Sequence, residues 1–302
     1  MIQRRISLTA AFLVSVLLMS GCGQPPTSSD ETSGEDKKGK KTEATGGETT
    51  NESTTVNIAD SPELKEGTER YEKYVAQQTE LLVERTQKFT DAVEAGNVEE
   101  AKRLYAPARV PWERIEPIAA TLGDYDPDID AREGDVPKDE WSGFHRIEKS
   151  IWERNTTEGQ AQYARQLMKD VEGLQGEIEK LELEPVDLVT GSVELLNEVS
   201  AGKITGEEER YSHTDLYDIQ ANVEGSEKAF EELRPALEEA DPTLASNIEQ
   251  RFDSVYAELE PYLKGDGWVP YTEVKEEERR ELSQKVDALA EPLSQIGQVL
   301  KG

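Results

Sequence analysis

A histidine and a glutamate three residues apart stand between two tryptophans in the run Trp141-Ser142-Gly143-Phe144-His145-Arg146-Ile147-Glu148-Lys149-Ser150-Ile151-Trp152. Residues three and four apart share a helix face, so Trp141, His145, Glu148 and Trp152 line up on or beside a buried stripe. A carboxylate placed there needs a donor, a cation or a metal, because burying it alone is costly. At this spacing the imidazole and the carboxylate can grip one ion, and a plain buried ion pair would satisfy the same physics. Upstream, Glu113 and Glu116 repeat the three-residue spacing with two like charges on one face. Asp124, Asp126, Asp128 and Asp130 follow directly, either as a solvated acidic surface or as acids converging on a cation. They do not form an EF-hand: Ile129 stands where the glycine belongs, Pro127 interrupts the loop, and no glutamate closes its twelfth position.

A third polar run is Gly206-Glu207-Glu208-Glu209-Arg210-Tyr211-Ser212-His213-Thr214-Asp215-Leu216-Tyr217-Asp218. Helical spacing would gather Glu208, Tyr211, Asp215 and Asp218, with Leu216, Ile219 and Val223 turned to the core. His213 is the only histidine besides His145, and a lone histidine of this kind reads first as a hydrogen-bonded structural residue.

The elements that must position these groups are helical. Ser61-Pro62-Glu63 has the form of a helix start, a capping serine with proline in the first turn. Tyr71, Tyr74, Gln78, Leu82, Arg85, Phe89 and Val93 trace one stripe until Gly96-Asn97 stops it. Asn97 caps a second helix carrying Ala101, Leu104 and Tyr105, which Pro111 is expected to break and restart at Trp112. An acidic loop from Gly123 to Asp139 follows, then helical stretches over 141–154, 158–183, 186–201, 207–240, 243–264 and 272–300. No alternating strand pattern stands out. The expected fold class is all-α, some eight helices in two packed antiparallel four-helix bundles over 60–302.

Composition narrows the partners. The 302 residues carry 64 Asp and Glu against 34 Lys and Arg, a net charge of −30. Such a field repels nucleic acid and anionic membrane surfaces and attracts cations. One cysteine, Cys22, excludes an intrachain disulfide framework and a thiolate metal cage. That cysteine ends a leader: Arg4 and Arg5, an apolar stretch from Leu8 to Met19, then Ser20 and Gly21. Leu-Met-Ser-Gly-Cys resembles a bacterial lipoprotein signal, although Met19 replaces the usual leucine. Residues 1–21 are therefore expected to be a signal peptide, with Cys22 lipidated and the protein anchored by acyl chains. Residues 22–59 hold no aromatic side chain and have the composition of a disordered tether.

Three segments taken in order, Tyr105-Ala-Pro-Ala-Arg-Val-Pro-Trp-Glu-Arg-Ile-Glu-Pro117, Gly143-Phe-His-Arg-Ile-Glu-Lys-Ser-Ile-Trp152 and Glu208-Glu-Arg-Tyr-Ser-His-Thr-Asp-Leu216, resemble the EfeO/EfeM proteins of the imelysin-like superfamily. The likeness spans about 60–302. It implies a two-bundle helical fold and an extracytoplasmic component of an Efe-type iron uptake system. A membrane iron permease and a haem-peroxidase-like protein are its implied partners. By the same likeness His145 and Glu148 match the family's HxxE metal motif. Glu113, Glu116 and Asp130 match acids that complete the site, and Glu208 is the weakest match because Glu207, Glu208 and Glu209 leave the register open. The longer EfeO proteins begin with a cupredoxin-like domain, so a chain whose bundles follow a tether resembles the short EfeM type. Several carboxylates with one imidazole suit ferrous or ferric iron, while zinc and copper also fit such a set.

The expected function is capture of iron for a permease, with no enzymatic activity. Two other readings compete. A metal-dependent peptidase would use Glu148 as general base on a metal-bound water, but His145 and His213 lie too far apart in sequence for a zincin motif. Cation-bridged binding of an acidic polysaccharide must work against the negative field.

Overall fold

The computed structural model describes residues 61–300. The expected signal peptide, the lipidation site Cys22 and the tether to residue 59 lie outside the described residues. Among the described residues there are nine α-helices and one two-residue hairpin. None of these helices is long and apolar enough to cross a membrane.

The first helix, α1 (Pro62–Glu94), buries Tyr71, Gln78, Leu82, Phe89 and Val93 of the expected stripe together with Leu64 and Val75, while Tyr74 and Arg85 are half-buried. Threonines share that face, and the Thr68 and Thr79 hydroxyls donate to the carbonyls of Leu64 and Val75, each at 2.9 Å. Ser61 does not cap. Its hydroxyl donates instead to Glu63 at 2.7 Å. After the turn at Gly96, the Asn97 side chain accepts from the Glu100 N–H and α2 (Val98–Ile115) begins.

Pro111 does not break α2, contrary to the sequence expectation; the helix runs through both Pro107 and Pro111. A proline at 111 leaves the Pro107 carbonyl without its helical donor. Arg85 of α1 supplies one, its Nη1 lying 3.0 Å from that oxygen. Burial of Tyr105, Trp112 and Ile115 then holds the helix in place.

The segment expected as one acidic loop contains a short helix, α3 (Tyr125–Asp130), anchored by buried Ile129. Next come α4 (Gly143–Glu153), α5 (Ala161–Ile178) and α6 (Pro185–Ala201). Gly143 opens α4 at φ +78°, and a Cβ there would lie 2.3 Å from the Ile129 carbonyl oxygen. Only glycine fits both the left-handed backbone and that close approach. Trp141 therefore precedes α4 rather than belonging to its face, and its indole Nε1 donates to the Ala131 carbonyl at 2.7 Å.

Residues 207–214 are turns rather than the start of a helix, and α7 spans Asp215–Ala240. The backbone explains why: the N–H groups of Tyr211 and Ser212 point to Glu148, not to carbonyls a turn behind them. The chain closes with α8 (Pro242–Leu259), the antiparallel pair β1 (Leu263–Lys264) and β2 (Gly267–Trp268), and α9 (Glu276–Val299).

The helices pack in two groups. In one, α1 lies against α2, α5 and α7; in the other, α9 lies against α6 and α8. Helix α7 also packs on α2, α6 and α8, so it belongs to both groups. It passes α2 so closely that a Cβ on Gly225 would sit 2.2 Å from the Arg114 carbonyl oxygen. A Gly225→Ala variant is therefore expected to lose about 1–3 kcal/mol, because backbone must move. Thermal denaturation followed by circular dichroism reads this directly, and an unchanged midpoint would contradict the close approach.

Candidate metal centre

Arg109, on the inner face of α2, is fully buried and surrounded by acids. Its Nη1 bonds Asp130 and its Nη2 bonds Glu113. Its Nε lies 2.7 Å from Glu209 Oε1, although without hydrogen-bond alignment, and 3.5 Å from Asp218 Oδ1. A second buried cation, Lys203, comes from the turn after α6. Its ammonium donates to Glu113 Oε2 at 2.9 Å and to both oxygens of Glu116 at 2.7 and 3.0 Å. The same ammonium is 3.5 Å from Glu208 Oε1. Asn222 of α7 closes this group, its Nδ2 donating to Glu113 Oε2 at 3.0 Å and Glu116 Oε2 at 2.7 Å. The repulsion expected between Glu113 and Glu116 is thus relieved by one ammonium and one amide shared between them.

His145 projects from α4 with its two nitrogens facing different carboxylates. Nδ1 is 3.1 Å from Glu148 Oε2 and 3.3 Å from the Tyr105 hydroxyl. Nε2 is buried with no hydrogen-bond partner, 3.5 Å from Asp130 Oδ1 and 3.9 Å from Glu208 Oε1. Glu148 is fully committed. Its Oε1 accepts the N–H groups of Tyr211 at 2.9 Å and Ser212 at 2.7 Å, while Oε2 faces the imidazole. Two triads of ligand atoms result, Asp130/His145/Glu208 and His145/Glu148/Glu209, the atoms of each lying within 4.8 Å of one another.

Burial and charge set the protonation of these groups. Burial disfavours the Glu113 carboxylate, but Lys203 and Arg109 outweigh it and bring the pKa down to about 2. For Glu116 burial prevails over Lys203, with Glu113, Asp130 and Glu208 adding repulsion, so its pKa lies well above the carboxylate range. Burial and Arg109 both oppose protonation of His145, yet Glu148, Asp130 and Glu209 carry its pKa up to about 9. Glu209 rises to about 8 through burial and the nearby Glu148 charge. Asp218, buried with neither oxygen hydrogen-bonded, is pushed well above its usual value.

A cavity of about 360 Å³ leads to this cluster, with Glu116, Asp130 and Glu208 on its wall. Asp126, Asp135, Glu194 and Glu198 line it as well, against one cation, Arg132, which donates to Glu208 Oε2 at 2.8 Å, so the approach is predominantly acidic. Such a passage concentrates cations.

Comparison with known proteins matches the chain to a family. Residues 67–296 match the imelysin family. A protein of Staphylococcus haemolyticus (strain JCSC1435), described as an Efem/EfeO family lipoprotein, is 40% identical over 297 residues, covering 97% of this chain and 98% of its own. The chain belongs to the imelysin family, in its EfeM/EfeO branch. The iron uptake system component EfeO of Escherichia coli (strain K12) is 47% identical over 234 residues, 76% of this chain. That match spans 62% of the length of EfeO.

Within this imelysin-family chain, all six residues singled out from sequence fall in one cluster, with Glu113, Asp130, His145, Glu148 and Glu208 buried and Glu116 at its half-buried edge. Of the aspartates before α4, only Asp130 turns in; Asp124 and Asp128 are exposed and Asp126 lines the cavity. Trp152 packs its ring edge-to-face on Tyr105 at 5.3 Å. His213 stays outside the cluster. It adopts φ +59° and its carbonyl accepts the Tyr271 N–H at 2.9 Å, a structural role. Arg109, Lys203, Glu209 and Asn222 were not foreseen, whereas helical spacing groups Asp218 with Glu208. Sequence held one hint, Arg109 four residues before Glu113, which is ion-pair spacing on a helix.

Glu148, which accepts two backbone donors and faces the imidazole, orients His145. A Glu148→Gln variant is expected to weaken ion binding about 10–100-fold, because one of its acceptor oxygens becomes a donor facing another donor. Calorimetric metal titration checks this, with circular dichroism expected to show unchanged helix content.

Proposed function

We propose that this chain is the extracytoplasmic, metal-binding component of an Efe-type iron uptake system. It captures iron in the carboxylate–histidine centre and delivers it to a membrane permease. The observation that carries this reading is the partnerless, buried His145 Nε2, aimed at Asp130 and Glu208 where both carboxylates meet the acidic cavity. An imidazole nitrogen with two carboxylate oxygens and room for water is a hard, oxygen-rich set suited to ferrous or ferric iron; zinc and copper are the competitors. Glu113 neighbours this set through Lys203 and adds a charged carboxylate, while Glu116 shares the same ammonium.

The remaining parts of the reading follow from family membership. Lipidation at Cys22 anchors the chain beside the membrane, and residues 22–59 let the helical body reach the permease. A haem-peroxidase-like protein completes the system. The two helix groups correspond to two antiparallel four-helix bundles, α1, α2, α5 and α7 against α6, α7, α8 and α9, sharing α7. The protein is a carrier and not an enzyme. Glu148, the base that a peptidase would need for a metal-bound water, has its oxygens engaged by Tyr211, Ser212 and His145.

Anaerobic titration of the mature chain with ferrous iron tests the reading. Saturable binding is expected, weakened at least about tenfold in His145→Ala, since one of a few first ligands is lost. Equal binding by the wild-type and His145→Ala chains would reject the centre.

A further inference from the structure

Besides the imidazole, an arginine and a lysine are buried in the centre, and they are held very differently. Arg109 sits mid-helix on α2 with carboxylates around its guanidinium and no exposed surface. Lys203 stands on a three-residue turn, Lys203–Thr205, between Gly202 and Gly206. The turn backbone is fixed: Gly206 adopts φ +87°, and the Ile204 carbonyl accepts the Tyr271 hydroxyl at 2.7 Å. Any movement of the charge is therefore a swing of the four-carbon stem, which is a flexible one. The ammonium lies against Glu116 and Glu208, and both of these line the acidic cavity, as do Glu194 and Glu198 farther along α6. A second carboxylate berth is thus within the same open space.

Glu208 Oε1 is the point of conflict. It is 3.5 Å from the Lys203 ammonium and 3.9 Å from His145 Nε2, so one oxygen serves both the lysine and the triad that would receive an ion. An ion with two or three charges bound there would face a buried ammonium at close range in a low-dielectric interior, where like charges repel strongly.

We propose that Lys203 is a built-in competitor for the captured ion: its ammonium holds Glu113, Glu116 and Glu208 in the unloaded protein, swings to the cavity carboxylates when the ion enters, and returns to expel it. This rests on the reading of Asp130, His145 and Glu208 as the receiving set. The consequence is selectivity by charge. Sodium or potassium gains no more from these carboxylates than the ammonium already does, whereas a multivalent ion does. The same residue supplies a return stroke for delivery, without a change in the fold.

The mature chain and its Lys203→Met variant, titrated anaerobically with ferrous iron, give the first test. The neutral side chain of similar length is expected to tighten binding at least tenfold and to slow dissociation, with Lys203→Arg remaining near wild type or weaker. Affinity that is equal or lower in Lys203→Met overturns the proposal. The second test needs no variant: mass-spectrometric footprinting of wild type with an amine-acylating reagent, with and without saturating ferrous iron. Lys203 is expected to be protected in the unloaded chain and modified in the loaded one. If Lys203→Met does not fold, this measurement decides alone. Wild type that binds iron while Lys203 stays protected sinks the displacement and leaves the centre standing; wild type that binds no iron sinks both.

Discussion

Replacing Arg109 by methionine is expected to leave the protein barely folded at neutral pH. Methionine fills the space and keeps the helix propensity, so the loss is electrostatic. Glu113 and Asp130 bond this guanidinium, Glu209 and Asp218 lie beside it, and all four are buried. Removing one partner of a buried ion pair costs about 3–5 kcal/mol, because the remaining charges stay buried and uncompensated. That is a large part of the roughly 5–15 kcal/mol that holds a domain together. Lysine should not rescue it, since one ammonium cannot reach carboxylates arranged around a planar fork. The sign of the pH dependence is specific. The orphaned acids would have folded-state pKa values above their unfolded ones, a penalty present at neutral pH and relieved as pH falls through those raised values. Arg109→Met should therefore lose most relative to wild type at pH 7 and recover part of the gap near pH 5. Urea denaturation at the two pH values measures both numbers; a variant within about 1 kcal/mol of wild type at pH 7 would show that the acids are not charged as described.

The same residue shows what sequence could and could not reveal. Glu113 with Glu116, and His145 with Glu148, draw notice by a short helical spacing, whereas Asp130 and Glu208 are matched to the site only through the family resemblance. Their counter-charges come from distant chain. Lys203 meets Glu113 across 90 positions, and Asn222 meets it across 109. No local pattern announces such meetings. Most helices were legible from their apolar stripes, which set α1, α6, α8 and α9 to within a few residues. The failures share a cause. Pro111 looked like a break because local chemistry forbids a helical donor there, and a side chain from α1 repaired it. Residues 207–214 looked helical because their polar spacing fits a helix, yet their N–H groups are spent on Glu148. Tertiary partners decided both cases. The glutamate run was ambiguous for a further reason: Glu208 and Glu209 both face inward and only Glu207 is exposed, so an irregular turn breaks the assumed single register.

Ion affinity is expected to climb steeply with pH, about tenfold per unit from pH 6 toward 9, for one displaced proton. The His145 pKa of about 9 makes the unloaded imidazole a cation at neutral pH, wedged between Glu148 on Nδ1 and the Asp130 and Glu208 side on Nε2. An ion can bind Nε2 only after that proton leaves, while the Nδ1 proton stays on the Glu148 side and fixes the tautomer. Stability moves the other way. Because the folded pKa is raised above the unfolded value near 6.5, the protonated imidazole adds stability that is complete below about pH 6.5 and is lost as pH rises through about 9. A rise from 6.5 to about 9 corresponds to about 3 kcal/mol. The unloaded centre thus favours acid and the loaded centre favours base, so a fall in pH near the membrane would release the ion. Glu209, with a pKa near 8, strengthens the same trend by shedding its own proton over this range. Anaerobic titration with manganous ion, a hard divalent probe, from pH 6 to 9 gives the slope. Calorimetry at pH 7 in buffers of different ionisation heat gives the count, about one proton released per ion. A flat profile, or no proton released, would place the ion away from His145 Nε2.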